Sequence, residues 1–415
     1  MRMRIKDITT KVGSGVTPKG GATVYQDAGI PLFRSQNITN DGLLTDDIAY
    51  ISEEIHDSMS GSQLKPNDVL LNITGASIGR CYYLPEDFTE GNVNQHVCIL
   101  RPKKNVLPAF LYYNLISETG QHLIDCCQTG ANREGLTKED LCNFEFDIPS
   151  IERQKEIVEY LNKRIVLITR QVSLLTSKRD AYLRLKKSII NRAVTKGLNP
   201  NVKMKDSGID WIGKIPEGWE VKRIKELGKL RLGKMLTDKP ISGYHQRSYL
   251  KSKNIDWLNL RLDSVEEMYF SDSELTSLRL NKNDLVISEG GEVGKTAIWK
   301  NEIKECYIQN SVHKLTFGHN CNPRYYLYLF YNLGHMGYFK SIVNLVSIMH
   351  LTYEKLRRIE VPVPELEEQN RIATYLDDKC SKIDLIISNL DKQISKYGEL
   401  KRSLIDEVIT GKRAV

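Results

Sequence analysis

Between residues 158 and 189, apolar side chains recur at alternating intervals of three and four: Val158, Leu161, Ile165, Ile168, Val172 and Leu175, then Tyr182 and Ile189. The same spacing returns at Ala373, Leu376, Cys380, Ile383, Ile387, Leu390, Ile394, Tyr397 and Leu404. That period draws one apolar stripe along an α-helix, and neither run contains a proline. Each predicts a helix of about 44 residues, roughly 66 Å long at 1.5 Å per residue. A stripe of that length would leave an apolar seam open to water, so each helix demands a partner. The other copy is the nearest one.

Ahead of each helix the period shortens. Runs such as "NDVLLNIT", "CYYLP" and "VNQHVCILRP" alternate with turn residues and predict short strands. Helical windows such as "LPAFLYYNLISETGQHLIDCC" lie between them, so each first part is an α+β globule. The aromatics of "PAFLYYNL" and "PRYYLYLFYNL" sit at helical spacing, which suits core packing better than base stacking.

The two halves are copies. A constant shift of 215 lays "DIPSIERQKEIVEYLNKR" (147–164) over "PVPELEEQNRIATYLDDK" (362–379), so that Pro149 meets Pro364 and Gln154 meets Gln369. The same shift carries Gly79 onto Gly294 and "LKKSIINRAVTKG" (185–197) onto "LKRSLIDEVITGK" (400–412). Upstream it drifts by a few residues, where "RSQNI" (34–38) matches "KSKNI" (251–255). The chain therefore divides into a first globule over 1–150, a long helix over 151–196 and a polar link over 197–219. A second globule over 220–364 and a second long helix over 365–412 follow. The lead "IPEGWEV" before Arg223 has no counterpart ahead of Arg4. The first globule is then either less anchored there or completed by the C-terminal end.

The repeat also disposes of an apparent nucleotide site. "LVISEGGEVGKTAIWKN" (285–301) resembles a strand entering a phosphate loop. A P-loop needs G-x-x-x-x-G-K-[ST], and counting back from Gly294 puts Glu289 where its first glycine belongs. The twin stretch "LLNITGASIGRCYYL" (70–84) keeps Gly75 and Gly79 but loses the Lys-Thr pair. Both are read as tight turns between strands.

Composition narrows the chemistry. The 59 Lys and Arg against 52 Asp and Glu give a net charge of +7, compatible with a nucleic-acid partner without requiring one. No apolar run approaches the roughly 18 residues of a membrane span, and the start "MRMRIKDITTKVG" has no signal-peptide core. The eight cysteines form no C-x-x-C pair, so a structural metal is not expected and reduced thiols in the cytoplasm are. Cys126 and Cys127 read as a packed pair of thiols. An adenine-methylase N-P-P-[YF] motif, a glycine-rich S-adenosylmethionine loop, H-E-x-x-H and G-x-S-x-G are all missing from the sequence. A catalytic role is not expected.

The proline-led "LEEQNRIATYLDDKCSKID", its twin at 150–168 and the link "DSGIDWIGKIPEGWEVKRI" resemble the specificity subunit of type I restriction–modification systems. The resemblance covers essentially the whole chain. It implies two target-recognition domains separated by two long antiparallel coiled-coil helices, each domain reading half of a bipartite, asymmetric site in double-stranded DNA. It further implies two modification (M) subunits docked on the helices, supplying S-adenosylmethionine-dependent adenine methylation. Restriction (R) subunits would add ATP- and Mg-dependent cleavage, leaving this chain itself without a cofactor.

Polar loop positions shared by the copies are the candidate DNA contacts, because Arg suits guanine, Asn and Gln suit adenine, and Lys suits phosphate. They are Arg34, Ser35, Gln36 and Asn37 with Lys251, Ser252, Lys253 and Asn254. Asn94, Gln95 and His96 match Gln309, Asn310 and Ser311, while Ser77 and Arg80 flank the first glycine turn as Lys295 and Thr296 flank the second. Asn132 and Arg133 complete the set. For each, the plain alternative is a capped turn or a solvated loop side chain. The basic run Lys178, Arg179, Arg184, Lys186, Lys187 and Arg192 suits a phosphate track, a solvated face or a subunit contact alike. Two other classes stay open on residues alone: a coiled-coil scaffold with two protein-binding heads, and a nucleotide-dependent enzyme using the 285–301 loop.

Overall fold

The computed structural model describes residues 1–128, 135–343 and 350–415; Asn132 and Arg133 lie outside them. The chain forms two compact units, one of residues 1–176 with 392–415 and the other of residues 177–391. The two long helices, Ile151–Lys196 and Leu366–Ile409, therefore contribute a part to each unit.

In the first unit an antiparallel sheet runs in the order Thr9–Ser14, Val97–Pro102, Val69–Asn72, Cys81–Tyr83. A second sheet centres on Ile30–Phe33, paired antiparallel with Ala49–Ile51 and parallel with Asn92–Val93. The second unit repeats this: Gly228–Leu232, Val312–Phe317, Leu285–Ser288, Thr296–Ile298 in one sheet. His245–Leu250 lies between antiparallel Glu266–Phe270 and parallel Tyr307–Ile308 in the other. Residues 285–301 are a strand, a turn and an antiparallel strand, with Gly291 and Gly294 at φ 72° and 81°. Gly79 holds φ 82° at the matching turn. A side chain at these positions would be strained.

The aromatic windows form core helices. Pro108–Ile116 stops at Ser117, whose Oγ caps the next helix, Glu118–Cys126, by accepting from Gly120 N at 3.0 Å. Tyr325, Tyr326 and Phe330 on Pro323–His335 are fully buried. Cys126 and Cys127, expected as a packed pair, lie exposed at the end of their helix instead.

The helices run antiparallel within each unit. In the first, Ile157, Leu161 and Ile168 share a core with Leu404, Ile405 and Val408. In the second, Ile190, Ala193 and Val194 share one with Ile372, Ala373 and Leu376. Each globule is tied to its helix by the same bonds. Gln154, fully buried, accepts from Leu107 N at 2.9 Å and donates to the carbonyls of Asn105 and Pro149, both at 3.0 Å. Gln369, its twin, accepts from Asn322 N at 2.8 Å and donates to Asn320 and Pro364. Tyr113 donates to Asn162 at 2.6 Å, as Tyr328 donates to Asp377 at 2.8 Å.

The link after the first helix is more than a polar tether. It carries a hairpin, Met204–Asp206 with Lys214–Pro216, and buries Ile212, Ile215 and Trp219 in the second unit's core. Trp219 Nε1 donates to Glu368 at 2.9 Å. In the first unit, Arg153 Nη1 donates to the Val415 carbonyl at 2.8 Å. The long helices show why the apolar stripe skips positions 179 and 186. Arg179 and Lys186 pair across the seam with Asp391 and Asp384. Those two of the six basic residues hold the helices to each other.

Candidate DNA interface

In each unit the candidate residues sit on loops that leave the two sheets at the same side, and hydrogen bonds join loop to loop. In the first unit the loop after Ile30–Phe33 carries Arg34, Ser35, Gln36 and Asn37. Its neighbour after Asn92–Val93 carries Asn94, Gln95 and His96, and Asn94 N donates to the Phe33 carbonyl at 3.2 Å. Asn72, on the strand leading into the glycine turn, donates its amide to the Ser35 carbonyl at 2.7 Å. His96 meets the Thr74 hydroxyl of that turn at 2.5 Å, and Thr17 hydrogen-bonds Gln95. Parallel pairing of the two strands is what brings their following loops side by side.

The second unit builds the same cluster. Ser252 Oγ donates to the Ser311 carbonyl at 2.9 Å, and Ser311 Oγ accepts from Ser252 N at 3.0 Å. Gln309 bridges to Lys234, and Glu289 N donates to the Ser311 carbonyl at 2.9 Å. Gly15 and Gly233 let a further loop close against the cluster. A Cβ there would stand 1.9 Å from the Val93 carbonyl or 2.4 Å from that of Gln309, where no side chain fits.

Within the clusters the candidates divide by exposure. Gln36, Arg80, Gln95 and Lys253 are open to solvent, while Ser35, Ser77, His96, Lys251, Ser252, Gln309, Asn310 and Ser311 are half-buried. Arg34 and Lys295 are half-buried as well. Asn37 and Asn254 require correction. Both are fully buried, and each accepts from the backbone N–H three residues before it, at 2.9 and 3.0 Å. Each also donates to two carbonyls of the following segment, Leu44 and Asp47 or Arg261 and Ser264. With their amides satisfied inside the fold, they shape the loop and do not face a base. Asn94 is buried too, its Oδ1 accepting from His96 N at 3.1 Å. Thr296 is fully buried and donates to the Gly294 carbonyl at 2.8 Å. These four give the loops their form.

Electrostatics explain the phosphate-loop lookalike. Lys295 Nζ lies 2.9 Å from Glu292 and 3.3 Å from Asp256, and the Glu292 hydrogen bond raises its pKa. Its charge is already matched. Behind the turn, burial lowers His313 to about 4 and raises Glu289. His313 Nε2 contacts the Leu351 carbonyl at 2.8 Å, the nitrogen donating in the neutral tautomer. The sequence reading missed Thr17 and Thr74, which touch candidate side chains, and the carboxylates Asp47 and Glu266, which hold them. Nothing local in the sequence marks either carboxylate.

Among solved structures, the fold is similar to a chain from a study of complex assembly and conformational transition in a type I R-M system. The TM-score is 0.73 at 15% identity, over 99% of this chain and 97% of that one. It also matches the HsdS subunit from Thermoanaerobacter tengcongensis, with a TM-score of 0.51 at 16% identity over 100% and 97% of the chains. The model of the type I restriction modification DNA specificity domain matches twice, over residues 1–172 and 216–396, and the chain belongs to that family. Curated relatives include the putative type I restriction enzyme MjaX specificity subunit of Methanocaldococcus jannaschii, 24% identical over 98% of this chain and 92% of that protein. The EcoKI specificity subunit of Escherichia coli K12 is 19% identical over 98% and 88%.

Proposed function

We propose that this chain is the DNA-specificity subunit of a type I restriction–modification complex, reading a bipartite, asymmetric site in double-stranded DNA. The observation that carries this is the doubling of one loop cluster, built from equivalent strands in both units and bearing different side chains in each. Arg34-Ser35-Gln36 stands where Lys251-Ser252-Lys253 stands, and Asn94-Gln95-His96 where Gln309-Asn310-Ser311 stands. Two differently furnished clusters suit two different half-sites. Arg80 supplies a phosphate contact, and the polar groups of the paired loops serve base edges.

The chemistry belongs to partners. Methyl transfer from S-adenosylmethionine is assigned to methyltransferase subunits, and ATP- and Mg-dependent cleavage to restriction subunits. Two matching grooves support two methyltransferase copies. One is lined by Tyr160, Leu400 and Leu404 in the first unit, the other by Tyr375, Leu185 and Ile189 in the second. Each pair of these residues coincides under the repeat, and Leu185 and Leu400 are both exposed. Apolar side chains left open at equivalent places suit a partner used twice.

Co-expression with the adenine methyltransferase partner, followed by mapping of methylated adenines, tests the proposal. The expected result is one interrupted sequence motif that depends on this chain. Methylation without sequence preference, or without need of this chain, would overturn it.

A further inference from the structure

The first and third residues of the loop that follows the central strand converge on one carboxylate in each unit. In the first unit that carboxylate is Asp47: Gln36 Nε2 donates to it, and Arg34 Nη2 lies 3.4 Å from it and donates to its backbone carbonyl at 2.9 Å. In the second it is Glu266: Lys251 pairs with Oε1, Lys253 Nζ lies 3.7 Å from the same oxygen, and Tyr249 donates to Oε2 at 2.9 Å. Arg34 and Gln36 are the repeat equivalents of Lys251 and Lys253, but their partners are not equivalents. The shift that matches the loops carries Asp47 onto Ser264, two residues short of Glu266. The same arrangement is thus reached from different sequence positions.

Fold stability does not account for it. The Asp47 and Glu266 side chains are 79% and 47% exposed, and solvated ion pairs contribute little to stability. What the carboxylates do change is how the loop cations meet an anion. Non-specific duplex offers phosphate alone, so each cation must exchange one anion for another. A base edge such as guanine O6 and N7 is a neutral acceptor, which a cation can meet while its carboxylate still holds it from behind.

Resting on the DNA-specificity reading above, we infer that Asp47 and Glu266 are specificity-determining residues: each aims its pair of loop side chains at base edges and competes with phosphate for them. They act through the loop residues and are positioning groups. Asp47 serves the half-site read by the first unit, and Glu266 the other.

The test uses the full chain in complex with its methyltransferase partner. The methylated motif of the wild-type complex defines a cognate duplex, and a scrambled duplex serves as the non-specific one. Glu266→Gln is expected to lower the ratio of cognate to scrambled affinity about fivefold, with a steeper salt dependence on the scrambled duplex. Methylation mapping is expected to show relaxed sequence in one half-site with Glu266→Gln and in the other with Asp47→Asn. Tyr249→Phe removes the hydrogen bond to Glu266 Oε2 without altering the carboxylate's charge, so Glu266 is held less firmly and the ratio is expected to fall in the same direction, to a smaller extent. This second variant keeps the test open if Glu266→Gln does not fold. A wild-type preference that all three variants leave unchanged, or affinities for both duplexes that move together, would overturn the inference alone. A wild-type complex with no sequence preference would overturn the proposed function and the inference with it.

Discussion

Lys186 Nζ sits 2.7 Å from Asp384 Oδ1 and 2.8 Å from Oδ2, linking the two long helices at a seam position that an apolar residue would otherwise fill. The lysine side chain is 10% exposed, whereas the aspartate side chain is 54% exposed. The nearly buried cation therefore depends on a partner that water can still reach. Asp384→Asn leaves Lys186 with no matching charge, and a loss of about 1–3 kcal/mol is expected. Lys186→Met fills the same seam without a charge and is expected to be neutral or stabilising. Urea unfolding of the full chain distinguishes the two, and an Asp384→Asn variant as stable as wild type would count against the assignment.

The buried glutamines make a second prediction. Gln154 and Gln369 each satisfy one backbone N–H and two carbonyls at the joint between globule and helix. Replacing either by Leu keeps the bulk but strands those groups. Each substitution is expected to cost about 2 kcal/mol or more. Proteolysis under native conditions should then release the affected globule first: the first for Gln154→Leu, the second for Gln369→Leu.

A pH dependence follows from His313. Its folded pKa of about 4 lies below the ordinary value near 6.5, because burial opposes the charge. The unfolded chain takes up the proton first. The stability that neutral His313 permits is fully present above about pH 6.5 and falls progressively between about pH 6.5 and 4, by up to about 3 kcal/mol. Glu289, 3.7 Å away and itself raised by burial, works the other way at the acid end, and the exposed His350 faces it from 3.9 Å. Comparing wild type with His313→Leu isolates the histidine. The variant is expected to lose less stability between pH 6.5 and 5, and parallel stability curves would contradict this.

A fourth prediction concerns division of labour. Exchanging residues 1–150 for the first globule of another specificity subunit is expected to change one half of the methylated motif only. Sequencing of methylated sites reads the result directly. Changes in both halves, or in neither, would show that the globules do not read separately.

Much of this architecture is legible in the chain because its causes are local or periodic. A helix that buries one face must repeat apolar residues every three to four positions, so Leu161, Ile168, Leu376 and Leu390 announce the seam without any knowledge of the fold. The turn at Gly79 and Gly294 is legible because few residues other than glycine take positive φ comfortably. The repeat is legible because Gln154 and Gln369 perform the same task at the same distance from the same prolines.

The candidate site was legible only as a set of loops. Whether Asn37 faces a base or the interior depends on carbonyls seven and ten residues away, and no spacing rule connects them. Likewise Lys186 reads as one more charge in a basic run until Asp384, almost two hundred residues on, is brought across the seam. Asp47 and Glu266 fall at different repeat positions and yet hold equivalent side chains, a convergence visible only once the strands are placed. Sequence alone determines which faces must be buried and where the backbone must turn, because those demands act within a few residues. Tertiary structure decides which polar groups are spent on the fold and which remain for DNA, because a charge or an amide is settled by whatever distant segment packs against it.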